Sequence, residues 1–288
     1  MPRLPLELVG RIIDNVAEYD DNHINNFSSI KSFALVCHCF LPLCRKYIFA
    51  SVILNTRRLS STATSDDLNH LLSNSPHLAV YIRKLDYNVD EREFVAERSA
   101  WLLPMFKKLV KLQKLSICYS PSGLHSVSAF GSKLDWMSSS ERKVLLPLLH
   151  LPTLTSISLS SIRNFPLADF ASCVNLQKLR IHSLECSTPN SVGKFLDALS
   201  PTPVMLERLT IDAGNVIPVQ QLCLARRPDG KPIIDFSSLK KIKSTDVELR
   251  SMTELFGMCR NLQKICLDSM SLSLVLFLHP FDSYSYSG

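Results

Sequence analysis

Glycine is scarce in this 288-residue chain, with only eight in all. Loops that cradle phosphate need glycine where the backbone bends sharply or approaches the ligand. Neither G-x-x-x-x-G-K-[ST] nor G-x-G-x-x-G occurs, and the hydrolase elbow G-x-S-x-G and the zinc motif H-E-x-x-H are missing too. The eight histidines are scattered, and no Cys/His pair carries a local catalytic signature. The expectation is a protein with no enzymatic activity of its own, no catalytic residues, no metal and no cofactor. Long apolar runs are also lacking. A membrane helix needs about 20 apolar residues. The longest stretch here, Leu272 to Phe281, is broken by Ser273, His279 and Pro280 and reads as a strand or a covering segment. The N-terminus has no apolar signal region, and the nine cysteines are odd in number and dispersed, which suits core packing in a reducing compartment. Cytoplasmic and/or nuclear residence, away from any membrane, is therefore expected. Asn26-Phe27-Ser28 matches a glycosylation sequon by chance in that setting.

A block of one charge is missing as well. The net charge of +6 is spread along the chain, so no nucleic-acid partner is expected. Lys107, Lys108, Lys111 and Lys114 have helix-like spacing and read as a solvated helix face. Arg226-Arg227 and Lys240-Lys241-Lys243 are too short for a nuclear signal. What is present is a folding composition: 46% hydrophobic against 20% charged residues excludes an intrinsically disordered chain. The length accommodates one or two domains.

The first fifty residues read as three short helices. Pro5 suits a helix start, and Leu8, Val9, Ile12, Ile13 and Val16 follow as one apolar stripe. Asp20-Asp21-Asn22 reads as a polar loop. A second pattern runs Phe27, Ile30, Phe33, Ala34, Cys37, and a third runs Phe40, Leu43, Cys44, Tyr47, Ile48, with Pro42 near its start. Cys37-His38-Cys39 with Cys44 resembles a zinc set in composition only. If this segment is helical, Cys37 and Cys39 point in different directions, and no second pair lies downstream at finger spacing.

Leu4-Pro5-x-Glu7-Leu8-x-x-x-Ile12, then Leu35-Val36-Cys37-His38 and Phe40, then Arg45-Lys46-Tyr47-Ile48-Phe49, resemble the F-box motif in order and spacing, most closely F-box-like proteins of fungi. The segment Glu18 to Asn26 departs from the pattern by being longer and more polar, and Phe40 stands where a tryptophan is common. The resemblance implies a module over residues 1–50 that binds a Skp-type adaptor and through it a cullin ubiquitin ligase. It makes Leu4, Pro5, Leu8, Ile12, Val36 and Cys37 candidates for the adaptor contact. The alternative is that these residues are internal core, as some must be for three helices to pack.

Residues 51–288 carry a recurring apolar-x-x-apolar-x-apolar pattern. It appears as Leu112/Leu115/Ile117, Leu154/Ile157/Leu159, Leu176/Leu179/Ile181, Leu206/Leu209/Ile211 and Leu262/Ile265/Leu267. Leu239/Ile242 with Ser244 is a partial copy, and Ile82/Leu85/Tyr87 an early one. Asn175-Leu176-Gln177-Lys178 repeats as Asn261-Leu262-Gln263-Lys264. Helical signals lie between the copies. Ser138-x-x-Glu141 reads as a capping box, Thr64-x-x-Asp67 precedes Leu68, Leu71 and Leu72, and Val192/Phe195/Leu196/Leu199 and Leu249/Met252/Leu255/Phe256 read as stripes. The period is irregular, with a Ser/Gly-rich insertion expected around Gly123–Trp136, and the asparagine usual after the strand is missing, which predicts irregular turns.

The expected architecture is α/β: a three-helix F-box-like module, then an irregular leucine-rich-repeat-like solenoid with a curved parallel sheet. An ordinary α/β domain with a parallel sheet is the alternative. His182, two places from Arg180 on a candidate strand, reads either as facing the concave side of such a sheet or as an ordinary surface or satisfied core histidine. Two functional expectations follow. One is a substrate-recruiting adaptor of a Skp–cullin–F-box type ubiquitin ligase, whose repeats bind an unidentified target protein. The other is a repeat-based interaction scaffold without ligase work, whose N-terminal helices only cap the solenoid. An exposed apolar stripe on the first and third helices favours the first; full burial of Leu4, Leu8 and Val36 against the first repeat favours the second.

Overall fold

The computed structural model describes residues 5–23, 28–55, 64–90, 102–120, 133–187, 202–212, 216–227, 229–245, 252–268 and 273–277. Three helices come first: α1 (Leu6–His23), α2 (Ser28–Val36) and α3 (Leu41–Ile48). The polar loop expected at Asp20-Asp21-Asn22 is instead the last turn of α1. Neither glycine nor proline stands between Val16 and His23 to stop the helix.

A mixed α/β body follows, built on a large parallel sheet that is not closed into a barrel. Strands β1 (Ser51–Asn55), β2 (Lys84–Asp90), β3 (Lys114–Ser120), β5 (Ser156–Phe165), β6 (Lys178–Cys186), β8 (Arg208–Asp212), β10 (Lys241–Thr245) and β11 (Lys264–Asp268) pair in strict chain order. β12 (Ser273–Phe277) adds antiparallel to β11, so part of the expected covering segment pairs with that edge. β4 (Leu134–Asp135) pairs with β5 beyond the point where β3 leaves it, and β7 (Val204–Met205) pairs with β9 (Ile234–Asp235) apart from the main sheet. Between the strands run α4 (Ser65–Asn74), α5 (102–106), α6 (Ser140–Leu149), α7 (Val216–Leu224), α8 (Thr253–Met258) and 3-10 turns at Pro76–Tyr81 and Leu167–Ser172.

Register explains the sequence pattern. Leu85, Leu115, Ile157, Leu179, Leu209, Ile242 and Ile265 stand side by side across the sheet, and Tyr87, Ile117, Leu159, Ile181, Ile211, Ser244 and Leu267 form the next line. From β2 to β10 these lines face one core, into which α4 sends Leu68 and Leu72, α6 Val144, Leu145 and Leu148, and α8 Leu255. Each fully buried leucine or isoleucine contributes about 1.5–3 kcal/mol. β1 extends both lines with Val52 and Leu54, so Phe49/Val52/Leu54 is a further copy of the pattern that begins inside the segment expected to end α3.

The backbone repeats as regularly as the side chains. The Ala50 carbonyl accepts from both Arg83 and Lys84 N–H, Arg83 from Gln113 and Lys114, Gln113 from Thr155 and Ser156, and so on to Lys240 with Gln263 and Lys264. The duplicated asparagines do the same job twice: Asn175 Nδ2 donates to the Pro152 carbonyl at 2.7 Å and Asn261 Nδ2 to the Ser237 carbonyl at 2.9 Å.

Several local expectations are corrected. The N-cap of α6 is Ser139, which accepts from Arg142 N–H; the capping box at Ser138/Glu141 does not form, whereas Thr64/Asp67 does form one. Lys107, Lys108 and Lys111 lie in turns after α5 and Lys114 begins β3, so they do not share a helix face. After the second core line β5 and β6 continue as strand, so the irregular turns expected there do not form; instead Ser161, Asn164 and Ser183 adopt positive φ (56°, 56° and 50°) within the strands, and the register shifts between Ile162 and Phe165. In the Gly123–Trp136 stretch, described from residue 133, Trp136 is fully buried and packs on Phe165 at 5.3 Å. The stripe 192–199 and Leu249 lie outside the described residues.

Candidate docking surface

The three N-terminal helices have a small core of their own. Ile13 and Ala17 of α1, Ile30 of α2 and Cys44 of α3 are buried together, with Val9, Val16, Phe33, Ala34, Leu43 and Tyr47 packed around them. On α1 the buried residues recur at one-turn spacing, the signature of a single inward face. Asp14 on that helix ties α1 to α3, accepting from Lys46 Nζ at 2.8 Å and from Tyr47 Oη at 2.6 Å. The Lys46 hydrogen bond, then that of Tyr47, holds the Asp14 carboxyl below its ordinary value, and the same bond to Asp14 pushes the Lys46 ammonium up.

The stripe of α3 is not exposed, since Leu43, Tyr47 and Ile48 are half-buried around the sealed Cys44; the apolar residues of α1 and α2 divide into two sets. Leu8 and Ile12 are 45% and 44% exposed, and Leu35 and Val36 at the end of α2 are 89% and 72% exposed. Pro5 is exposed, and its carbonyl accepts from Leu8 and Val9 N–H, closing the first turn of α1. Cys37 is exposed just past α2. Of the six expected contact residues, Leu4 lies outside the described residues; the other five are at the surface rather than in the helical core. Leu35 was not expected among them. Its signal was legible: Leu35 and Val36 are consecutive, about 100° apart on a helix, and both cannot face inward with Phe33 and Ala34.

Cys37, His38 and Cys39 form the turn between α2 and α3, not a helix, so the helical argument against joint ligation does not apply. Cys37 and Cys39 Sγ are 2.9 Å apart. Hydrogen bonding from Cys39 lowers the Cys37 thiol and raises that of Cys39. Cys44 is sealed in the helical core, where burial raises its thiol. Among the described residues no group of three or more His, Cys, Asp or Glu is placed to hold a metal ion, and no helix is long and apolar enough to cross a membrane.

The parallel sheet offers a second surface. Residues alternating with the buried lines, such as Ser116, Ser158, Arg180, Thr210 and Lys243, are half-buried or exposed. Helices on both faces are the rule for parallel sheets; among the described residues α4 to α8 pack on the inner face. On the outer face Arg180 Nη2 meets Asp212 Oδ2 at 2.6 Å, and His182 Nδ1 stands 4.0 Å from the same carboxyl oxygen. His182 is thus on the outward face beside Arg180.

No known family model matches this chain, and no curated protein matches it.

Proposed function

We propose that this protein is a substrate-recruiting adaptor of a Skp–cullin–F-box type ubiquitin ligase, in which residues 1–50 are an F-box-like module and 51–288 a divergent leucine-rich-repeat-like solenoid with a curved sheet. The observation that carries the reading is the exposure of Leu8, Ile12, Leu35 and Val36 on helices that already have a core without them. Apolar anchors at helix spacing on a rigid support are how a helical surface engages a partner. The solenoid reading is supported by the sequential strand order, the repeated carbonyl pairing and, among the described residues, the packing of α4 to α8 on one face of the sheet. The protein would supply positioning: one surface on the adaptor and the other on the target raise the local concentration of target lysines at the transferring subunit.

One observation favours a capping role beside the docking role. α3 packs on the 3-10 turn Pro76–Tyr81, and Ala50 at its end receives the first pair of sheet-edge hydrogen bonds. A helix set serving only as a cap would nonetheless bury Leu8 and Val36, and it does not.

The test is co-purification of the full chain with a Skp-type adaptor. Wild type is expected to bind, and Leu8→Asp with Val36→Asp to lose binding while melting within a few degrees of wild type, since both side chains are exposed. Absence of binding by wild type overturns the ligase reading; retained binding by the double variant overturns the site.

A further inference from the structure

Residues at one register position stand side by side across a parallel sheet, about 4.8 Å apart. The outward row at the start of the strands carries Lys84, Lys114, Lys178, Arg208, Lys241 and Lys264, and from β2 to β11 only Ser156 interrupts it. The row is roughly 30 Å long. Arg180 and Lys243 add cations in the row behind it. Carboxylates are fewer: Asp86 pairs with Lys84 at 2.8 Å, Asp212 holds Arg180, and Asp268 occupies a third-row position beside Thr245. Glu207 pairs with Lys240 at 2.8 Å, just before the row.

None of this appears in the linear sequence, where successive cations of the row lie 23 to 64 residues apart. Like charges directly opposite each other on neighbouring strands are destabilising. Lys178, Arg208, Lys241 and Lys264 stand as four in succession, where serine, as at Ser156, would avoid the repulsion. An anionic chain lying across the strands offsets that cost along the whole row at once.

We propose that this basic row seats an extended, acidic segment of a partner protein, rich in Asp or Glu, running across the strands. The proposal rests on the reading of the sheet as the recruiting surface and names the class of target. A peptide fits better than a nucleic acid on two counts. Single-stranded nucleic acid is held by aromatic side chains that stack on its bases; among the described residues the outward positions of the eight parallel strands carry no Phe, Tyr or Trp and one imidazole, His182, while Phe277 of β12 is in register with Lys264 at the far end. Asp86 and Asp212 also interrupt the positive field. A peptide can set neutral or basic residues against them, whereas a phosphate backbone is anionic at every step.

The experiment uses the full chain and fluorescence anisotropy with three labelled probes: a sixteen-residue Glu/Ser peptide, its Gln/Ser counterpart and an oligothymidylate of equal length. Wild type is expected to bind the Glu/Ser peptide, more weakly as salt rises, and not the Gln/Ser peptide. Lys178→Glu, Arg208→Glu and Lys241→Glu together are expected to weaken binding by roughly tenfold or more. Lys107→Glu, Lys111→Glu and Lys143→Glu, an equal charge change at exposed positions off the sheet, are expected to leave it nearly unchanged. If the charge-reversed row does not fold, Lys178→Ser, Arg208→Ser and Lys241→Ser carry the same expectation. Equal loss in the off-sheet control, oligothymidylate binding as tight as the peptide, or no binding of the Glu/Ser peptide by wild type each overturns the proposal. Adaptor co-purification runs in parallel: adaptor binding without peptide binding sinks this inference alone, and peptide binding without adaptor binding sinks the ligase reading alone.

Discussion

Arg142 grips Asp169 with two hydrogen bonds, Nη2 to Oδ1 at 2.9 Å and Nε to Oδ2 at 3.2 Å, inside the protein. Asp169 is 5% exposed, and Trp136 Nε1 donates to the same Oδ2 at 2.9 Å. One carboxylate thus joins α6, the turn after β4 and the 3-10 turn Leu167–Ser172. Removing one partner of a buried ion pair leaves the other charge uncompensated, at a cost of about 3–5 kcal/mol. Asp169→Ala is expected to lose that much in urea unfolding followed by tryptophan fluorescence, and Asp169→Asn less, since the amide oxygen still accepts. A loss under about 1 kcal/mol for the alanine variant would mean the pair contributes little beyond packing.

Ser244 breaks the second core line between Ile211 and Leu267. It is 2% exposed, and its hydroxyl finds no hydrogen-bond partner among the described residues. Burying an unsatisfied polar group costs about 1–3 kcal/mol. Ser244→Ala should therefore raise stability by about 1 kcal/mol, seen as a higher melting temperature. Ile211→Ala, on the neighbouring strand, should lower stability by about 2–5 kcal/mol through the cavity it opens. A destabilised Ser244→Ala would show that the hydroxyl is satisfied.

Asp14 makes the tie between α1 and α3 dependent on pH. Its native carboxyl is depressed below 3.8, chiefly by the Lys46 hydrogen bond. Stability from this group is therefore present above pH 3.8 and lost as the pH falls through the lower native value. Asp14 and Lys46 side chains are 49% and 42% exposed, so solvent screening limits the contribution to about 0.5 kcal/mol. Melting curves should show Asp14→Asn slightly less stable than wild type at pH 7 in low salt. The difference should close in strong acid and in high salt; a gap that persists in acid would assign it to lost packing instead.

The thiols should alkylate in a definite order. Cys37 is exposed and its thiol is lowered, first by the Cys39 hydrogen bond. Burial pushes Cys173, Cys186 and Cys259 up to about 12 and Cys223 up to about 11. The thiolate is the reactive form. Iodoacetamide at neutral pH, with peptide mass mapping over time, should label Cys37 first and Cys173 only on unfolding. Early labelling of Cys173 would contradict its burial.

Much of the sheet was legible in the sequence because an alternating pattern with one buried face has a single workable register. Leu115/Ile117 and Leu179/Ile181 could slip only by sending their side chains to the outer face. Phe49/Val52/Leu54 follows the same rule, but its first residue continues the apolar spacing of α3, and periodicity alone does not say where that helix yields to a strand. The α6 cap shifted by one place because Ser138, Ser139 and Ser140 are equivalent as local caps; the observed one is Ser139, which also donates from its hydroxyl to the Trp136 carbonyl. The lysines from 107 to 114 carried helical spacing by coincidence, since Lys114 belongs to the alternation of β3.

The sequence by itself determined which residues of each repeat turn inward, because that choice depends on the spacing of a few neighbours and on the transfer of apolar surface out of water. It also marked the short apolar helices at the N-terminus. Only the tertiary structure decided that Ile13 and Ile30 fill their core while Leu8 and Val36 are left outside, because three helices of this size enclose room for one face each. Only the tertiary structure, likewise, set Lys178, Arg208, Lys241 and Lys264 side by side, because lateral neighbours in a parallel sheet come from segments that approach only when the chain has folded.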